Sequence, residues 1–281
     1  MEKTTISKLW KMKNQGEKIT MVTAYDYPTA LLADEANIDM ILVGDSVGMV
    51  VLGYDSPIPV TVDDIIHHTK PVVRGAKSPL IVADMPFMSY YISIEEAKRN
   101  ASRIIQEGGA DAVKLEGGKN VAPIVKSLVD VGIPVQAHIG LMPQRASIEG
   151  SYKVQAKNIE TAQEILDDAL ALEKAGAFSI VIEFVTTEAA QMITEKLKIP
   201  TIGIGAGPHC DGQVLLSHDL LGYYKTQPPF AKLYTNLNKI ILDAFNNYRI
   251  DVKSQKYPSK EYSISMDNEE RKKLKKNIGT Y

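Results

Sequence analysis

A chain of 281 residues with 44% hydrophobic side chains is long enough to bury a large core without disulfides or a structural metal. Its 32 Lys and Arg stand against 34 Asp and Glu, and this balance gives no reason to expect nucleic acid or a membrane as partner. The one cysteine, Cys210, excludes an intrachain disulfide; no apolar run reaches the ~20 residues that span a bilayer, and no signal-peptide core follows Met1. A cytoplasmic protein is expected.

Along the chain, short apolar runs alternate with helical patterns. The runs occupy residues 19–24, 40–43, 80–83, 112–115, 133–137, 179–182, 201–204 and 214–216. None alternates with period two, as expected of parallel strands covered on both faces. A helix is predicted over 93–108, with Ser93 as N-cap and Glu96 three residues on completing a capping box. Another is predicted over 161–176, with Ala162, Ile165, Leu166, Ala169 and Leu172 on one face and Gly176 as C-cap. Gly75, Gly108-Gly109 and Gly132 fall between helix ends and the next strands. Eight strands with intervening helices fit a closed (β/α)8 barrel better than an open sheet, as one domain over residues 1–250. Residues 251–281, with Asn268-Glu269-Glu270-Arg271-Lys272-Lys273, read as a charged extension, a solvated helix or a disordered end.

Polar residues keep step with the strands. Asp26 follows the first and Asp45-Ser46 the second; then come Asp84, Lys114 with Glu116, His138, Glu183, and the glycine segment 203–207. In a barrel the C-terminal strand ends converge on one mouth, where chemistry is placed. Any single acid, Asp26 for example, could equally cap the helix that follows. Asp45, Asp84 and Glu116 offer hard oxygen ligands, which suit Mg2+ and disfavour Zn2+. Lys114, two residues before Glu116, points to the same side and could hold a substrate carboxylate. Glu183 lies in an apolar setting, Ile180-Val181-Ile182-Glu183-Phe184-Val185, which suits a general base near neutral pH. Together these parts describe proton abstraction beside a carbonyl, with the metal stabilising the enolate.

Other motifs compete. Gly44-Asp45-Ser46-Val47-Gly48 matches the nucleophile elbow of serine hydrolases, but it comes too early in the chain and no late histidine partners it. Gly203-Ile204-Gly205-Ala206-Gly207 has the wrong spacing for a dinucleotide loop and reads as a tight turn. His67-His68 and His209-Cys210 read as solvated residues, and His138 as a possible lining residue of the site.

From about Thr4 to Tyr248 the chain resembles the ketopantoate hydroxymethyltransferase family. The likeness is carried by Thr23-Ala24-Tyr25-Asp26-Tyr27, Val43-Gly44-Asp45-Ser46-Val47-Gly48-Met49, Leu52-Gly53-Tyr54-Asp55-Ser56 and Asp84-Met85-Pro86-Phe87-Met88. It continues in Val113-Lys114-Leu115-Glu116-Gly117-Gly118, His138-Ile139-Gly140-Leu141, Pro143-Gln144 and Asp211-Gly212-Gln213-Val214-Leu215. The resemblance implies a barrel of the phosphoenolpyruvate/pyruvate type and a large homo-oligomer, typically a decamer of two stacked pentamers. It implies 3-methyl-2-oxobutanoate and 5,10-methylenetetrahydrofolate as substrates. By position it implies Asp45, Asp84 and Glu116 as metal ligands; Asp45, Ser46, Asp84 and Lys114 on the keto acid; and Glu183 as the base. One departure is visible: Gly150-Ser151-Tyr152-Lys153-Val154-Gln155-Ala156 stands where the family shows a paired-glycine stretch ending in Val-Gln-Gly. Residues beyond about Tyr262 have no clear family counterpart. Two readings of other classes stay open: a lyase or mutase on the same barrel, which would turn over without folate, and a non-catalytic scaffold.

Overall fold

A computed structural model describes residues 2–145 and 153–278. Eight parallel strands close into a barrel in chain order. They are β1 (Ile19–Thr23), β2 (Met40–Val43), β3 (Leu80–Asp84), β4 (Ala112–Glu116), β5 (Val135–Gly140), β6 (Ser179–Glu183), β7 (Thr201–Ile204) and β8 (Gly212–Leu215). Around them run α1 (Ile6–Gln15), α2 (Tyr27–Glu35), α3 (Val47–Val50), α4 (Val62–Gly75), α5 (Ile94–Arg103), α6 (Ala122–Asp130), α7 (Ile159–Lys174) and α8 (Thr187–Lys196), followed by α9 (Ser217–Leu221), α10 (Leu237–Lys253) and α11 (Asn268–Ile278). β7 and β8 are joined by a loop, without a helix.

The missing period-two pattern has a physical cause: successive strand residues alternate between two cores, and both are apolar. Ile41, Val43, Ile81, Ala83, Val113, Leu115, Ile180 and Ile182 belong to the shell between strands and helices. Met21, Met40, Leu42, Leu80, Val82, Ala112, Val181, Ile202 and Val214 fill the barrel interior. Leu9 and Met12 of α1 join that interior cluster and plug one end, where the Trp10 indole N–H also donates to the Phe178 carbonyl at 2.9 Å.

Three local expectations are corrected. The segment 93–108 is α5 followed by a π-helical turn, Ile104–Gly108. The Ser93 hydroxyl does accept from Glu96 N–H, but the Glu96 carboxylate accepts from Asn100 instead of returning to the cap. α7 starts before residue 161, because Asn158 and Thr161 form the capping box there. β5 lies further along the chain than residues 133–137: Pro134 has no N–H for the ladder, whereas Gln136 and His138 pair with both neighbouring strands. α10 spans residues on either side of 250. Neither α10 nor α11 buries a residue, and no helix among those described is long and apolar enough to cross a membrane.

Candidate active site

The inward alternation decides which side chains reach the mouth. Above Ala112 on β4 come Lys114 and Glu116; above Ser179 and Val181 on β6 comes Glu183; Asp84 ends the inward row of β3. Parallel register sets Asp84 beside Lys114 and Glu116 beside His138. Asp45, Ser46, Asp84, Lys114, Glu116, His138 and Glu183 all line one cavity of about 490 Å³. Asp84, Glu116, His138 and Glu183 are strand residues themselves and do not follow their strands; only Asp45 and Ser46 sit in a turn. Asp26 stands apart, with its carboxylate accepting from Thr29 N–H at 2.8 Å as the cap of α2.

Two backbone features make room. A Cβ on Gly44 would meet Ser46 Oγ at 2.8 Å and Asp84 Oδ2 at 3.3 Å, and its absence lets the Asp45 N–H donate to Asp84 Oδ2 at 2.9 Å. Phe184, directly after Glu183, has φ 51, a conformation few non-glycine residues hold. Its N–H and carbonyl are fixed by Ile204 and Gln155 at 2.8 Å each.

Buried charge dominates the floor of this cavity. The Lys114 ammonium is 2.9 Å from Asp84 Oδ1, a contact of charge that is not aligned as a hydrogen bond. Burial alone would lower the lysine, but Asp84, Glu116 and Asp45 outweigh it and hold the ammonium above its ordinary range. Asp45 is pushed well above the usual carboxylate range, first by burial and then by Asp84 and Glu116. His138 Nδ1 lies 3.4 Å from Glu116 Oε1 and Nε2 3.2 Å from Glu183 Oε2, again without hydrogen-bond alignment. Burial and Lys114 pull the imidazole down, yet the two carboxylates prevail and raise it to about 9. Glu183 is less enclosed than its apolar neighbours suggested: its side chain is 16% exposed, because Ile180 and Ile182 face the outer shell and it faces the cavity.

Three neighbours were not nominated by the sequence. Gln144 Nε2 donates to Asp45 Oδ2 at 2.7 Å, and the Gln144 N–H donates to Glu116 Oε2 at 3.2 Å. The Tyr90 hydroxyl donates to Gln144 Oε1 at 2.9 Å, and Tyr25 shares a 2.8 Å hydrogen bond with Ser46 Oγ. Tyr25 and Gln144 belong to strand-end motifs already noted, which is the signal that could have marked them.

Among the described residues no group of three or more His, Cys, Asp or Glu side chains is drawn together as a cation cage. Asp45, Asp84 and Glu116 are instead engaged by Gln144, Lys114 and His138. The donor set still fits a hard divalent cation. All three donors are carboxylates, Asp84 Oδ1 takes no hydrogen bond, and the excess negative charge that raises Asp45 is what a cation would relieve.

The family model for ketopantoate hydroxymethyltransferase matches residues 3–260. The chain belongs to this family. It is 56% identical over 269 residues to a 3-methyl-2-oxobutanoate hydroxymethyltransferase of Heliobacterium modesticaldum, covering 95% of this chain and 98% of that one. It is 54% identical over 267 residues to the protein of the same name in Carboxydothermus hydrogenoformans, covering 95% and 97%. Among solved structures it is similar to phosphonopyruvate hydrolase in complex with oxalate and Mg++, with TM-score 0.60 and 14% identity over 99% of both chains. It is also similar to 2,3-dimethylmalate lyase of the PEP mutase/isocitrate lyase superfamily, with TM-score 0.57 and 14% identity over 98% of this chain and 99% of that one. At such identity the likeness is one of fold, and it bears out the (β/α)8 barrel. Family membership makes the chain an enzyme, a hydroxymethyltransferase, and sets aside both the lyase and the scaffold readings.

Proposed function

We propose that this cavity is where the chain transfers a hydroxymethyl group from 5,10-methylenetetrahydrofolate to 3-methyl-2-oxobutanoate, giving ketopantoate for pantothenate synthesis. The observation that carries the assignment is that strand register sets Asp84 beside Lys114 and Glu116 beside His138, with Glu183 lining the same cavity. Asp45, Asp84 and Glu116 would hold Mg2+, which when bound polarises the 2-oxo group and makes the C3 proton acidic. Lys114, buried and charged, faces the carboxylate end of the keto acid, and Ser46, oriented by Tyr25, supplies a hydroxyl beside it. Glu183, open to the cavity, takes the C3 proton, while the His138 ring holds its carboxylate toward the substrate. The C3 carbanion then takes the one-carbon unit, water supplies the hydroxyl, and tetrahydrofolate leaves. The enclosed floor limits water around the carbanion until transfer.

Purified protein given both substrates and Mg2+ is expected to form ketopantoate, identified by mass spectrometry. EDTA should abolish the activity and Mg2+ or Mn2+ restore it, while Asp84→Ala should respond to neither. Full turnover in a metal-free preparation would remove the metal from the mechanism. A homo-oligomer of the decamer type is part of the same proposal. Its support is α10, whose Ile240, Leu242, Phe245 and Ile250 are exposed on a helix that buries no residue. Light scattering that returned a monomer would withdraw it.

A further inference from the structure

The cavity changes character from floor to rim. Its volume of about 490 Å³ lies in the range of pockets that enclose a drug-sized ligand, more than the keto acid alone occupies. Above the charged floor the walls are Leu141, Pro143, Phe184, Pro228, Pro229 and Phe230. The Phe184 and Phe230 ring centroids are 5.5 Å apart at 52°, a tilted pair across the rim. One acid lines the same cavity without a part in the mechanism above: Asp219, in α9 after β8. The floor carboxylates of Asp45, Asp84, Glu116 and Glu183 each touch a donor or a cationic side chain. No hydrogen bond or ion pair to the Asp219 carboxylate occurs among the described residues, where only its backbone groups are bonded. It is half-buried, and burial pushes its carboxyl above the ordinary range.

We propose that the rim of the cavity is the subsite for the pterin ring of the folate co-substrate, with Asp219 accepting the ring's 2-amino and N3–H donors and with Phe184, Phe230 and the Pro228-Pro229 pair packing on its faces. The chemistry matches on both counts. A pterin presents two adjacent N–H groups along one edge, the spacing that a carboxylate accepts with both oxygens. Its flat faces suit aromatic and proline surfaces. An acid left unpaired beside an apolar wall discriminates strongly, because a ligand lacking the donors leaves it unpaired. This assignment rests on the reading that folate is the one-carbon donor.

Asp219→Asn keeps the size of the side chain and exchanges one acceptor for a donor. It is expected to raise the KM for methylenetetrahydrofolate by roughly 10–100-fold, with kcat at saturation nearly unchanged. Exchange of the C3 proton of the keto acid in deuterated water, measured without folate, should keep the wild-type rate. A tetrahydrofolate bearing methyl in place of the 2-amino group should lose a similar factor against wild type and little more against Asp219→Asn. Phe230→Ala, which removes a ring and no charge, should raise the same KM and leave the exchange untouched. A wild-type KM in either variant, or losses from analogue and mutation that multiply independently, would overturn the subsite. A wild-type enzyme that exchanges the proton yet forms no product from methylenetetrahydrofolate fails the underlying reading, and the subsite falls with it.

Discussion

The lower and upper halves of the barrel interior are built from the same strands, yet they hold opposite chemistry. Met21, Met40, Leu80, Val82 and Ala112 close the lower half as an apolar core. One inward step higher stand Thr23, Asp84, Lys114 and Glu183, with Glu116 and His138 beside them. In the lower half these side chains stabilise by leaving water, and the buried polar Gln136 beside them donates to Ser179 Oγ at 2.9 Å. In the upper half each buried charge is tolerated because another charge meets it, as Lys114 meets Asp84 and His138 meets Glu116. A single lattice thus separates stability from reactivity by height along the strand.

The strongest way to break this division is to exchange effects between the halves. Glu183→Gln should fold normally, bind keto acid, and lose C3 proton exchange in deuterated water by ~10²–10⁴-fold, the usual range for a general base. Proton NMR of the keto acid decides it, and near-normal exchange by a folded variant would place the base elsewhere. Met40→Ala, at a fully buried site in the lower half, should do the reverse. It should destabilise by ~2–5 kcal/mol in urea unfolding while the folded fraction keeps its specific activity. A matching loss of activity per folded molecule would show that the two halves are coupled.

His138 sharpens the comparison through pH. Its pKa rises from 6.5 to about 9 in the folded chain, so its charge stabilises fully below pH 6.5, and that contribution is lost as pH climbs through 9. Melting of metal-free protein should therefore decline across this window, and His138→Gln should flatten the decline. An equal slope in both proteins would assign it to other groups. The smallest effect is expected at Ala156, where the family resemblance implies glycine. Ala156 has φ 55, and its carbonyl accepts from Thr186 Oγ1 at 2.8 Å. Ala156→Gly relieves a left-handed conformation and should raise stability by about 1 kcal/mol or less, read as a small upward shift in Tm. A lower Tm would mean that the gain in unfolded-chain entropy exceeds the strain.

Most strands were legible because burial on both faces makes them continuous apolar runs, and β2 and β7 coincide with theirs. The misreadings share one cause: hydrophobicity marks burial, not hydrogen bonding. Gln136 and His138 looked like the end of a strand but are its middle, since β4 and β6 supply their ladder partners. Gly212 and Gln213 lack apolar side chains, yet they pair with β1. The nominated residues of the site do meet on one cavity, because strand ends in a closed barrel must converge. Gln144 escaped notice because its partner Asp45 lies 99 residues away, a proximity that only the closed barrel creates. Phe230 and Asp219 escaped for the opposite reason: they lie in short or irregular segments with no period to read. The departure at Gly150-Ser151-Tyr152 lies outside the described residues.

The pairing of Asp84 with Lys114 and of Glu116 with His138 is written into strand register, and this has a consequence for how the chain finds its fold. A slip of β4 by one residue would turn Lys114 and Glu116 into the helix-covered shell and bring Val113 and Leu115 to the mouth. Apolar strands covered on both faces discriminate poorly against such a slip, since either set of side chains finds an oily surface. The charged row does not share that tolerance. The residues proposed to carry out the chemistry would therefore also act as a checksum on assembly, rejecting misaligned barrels before any substrate arrives.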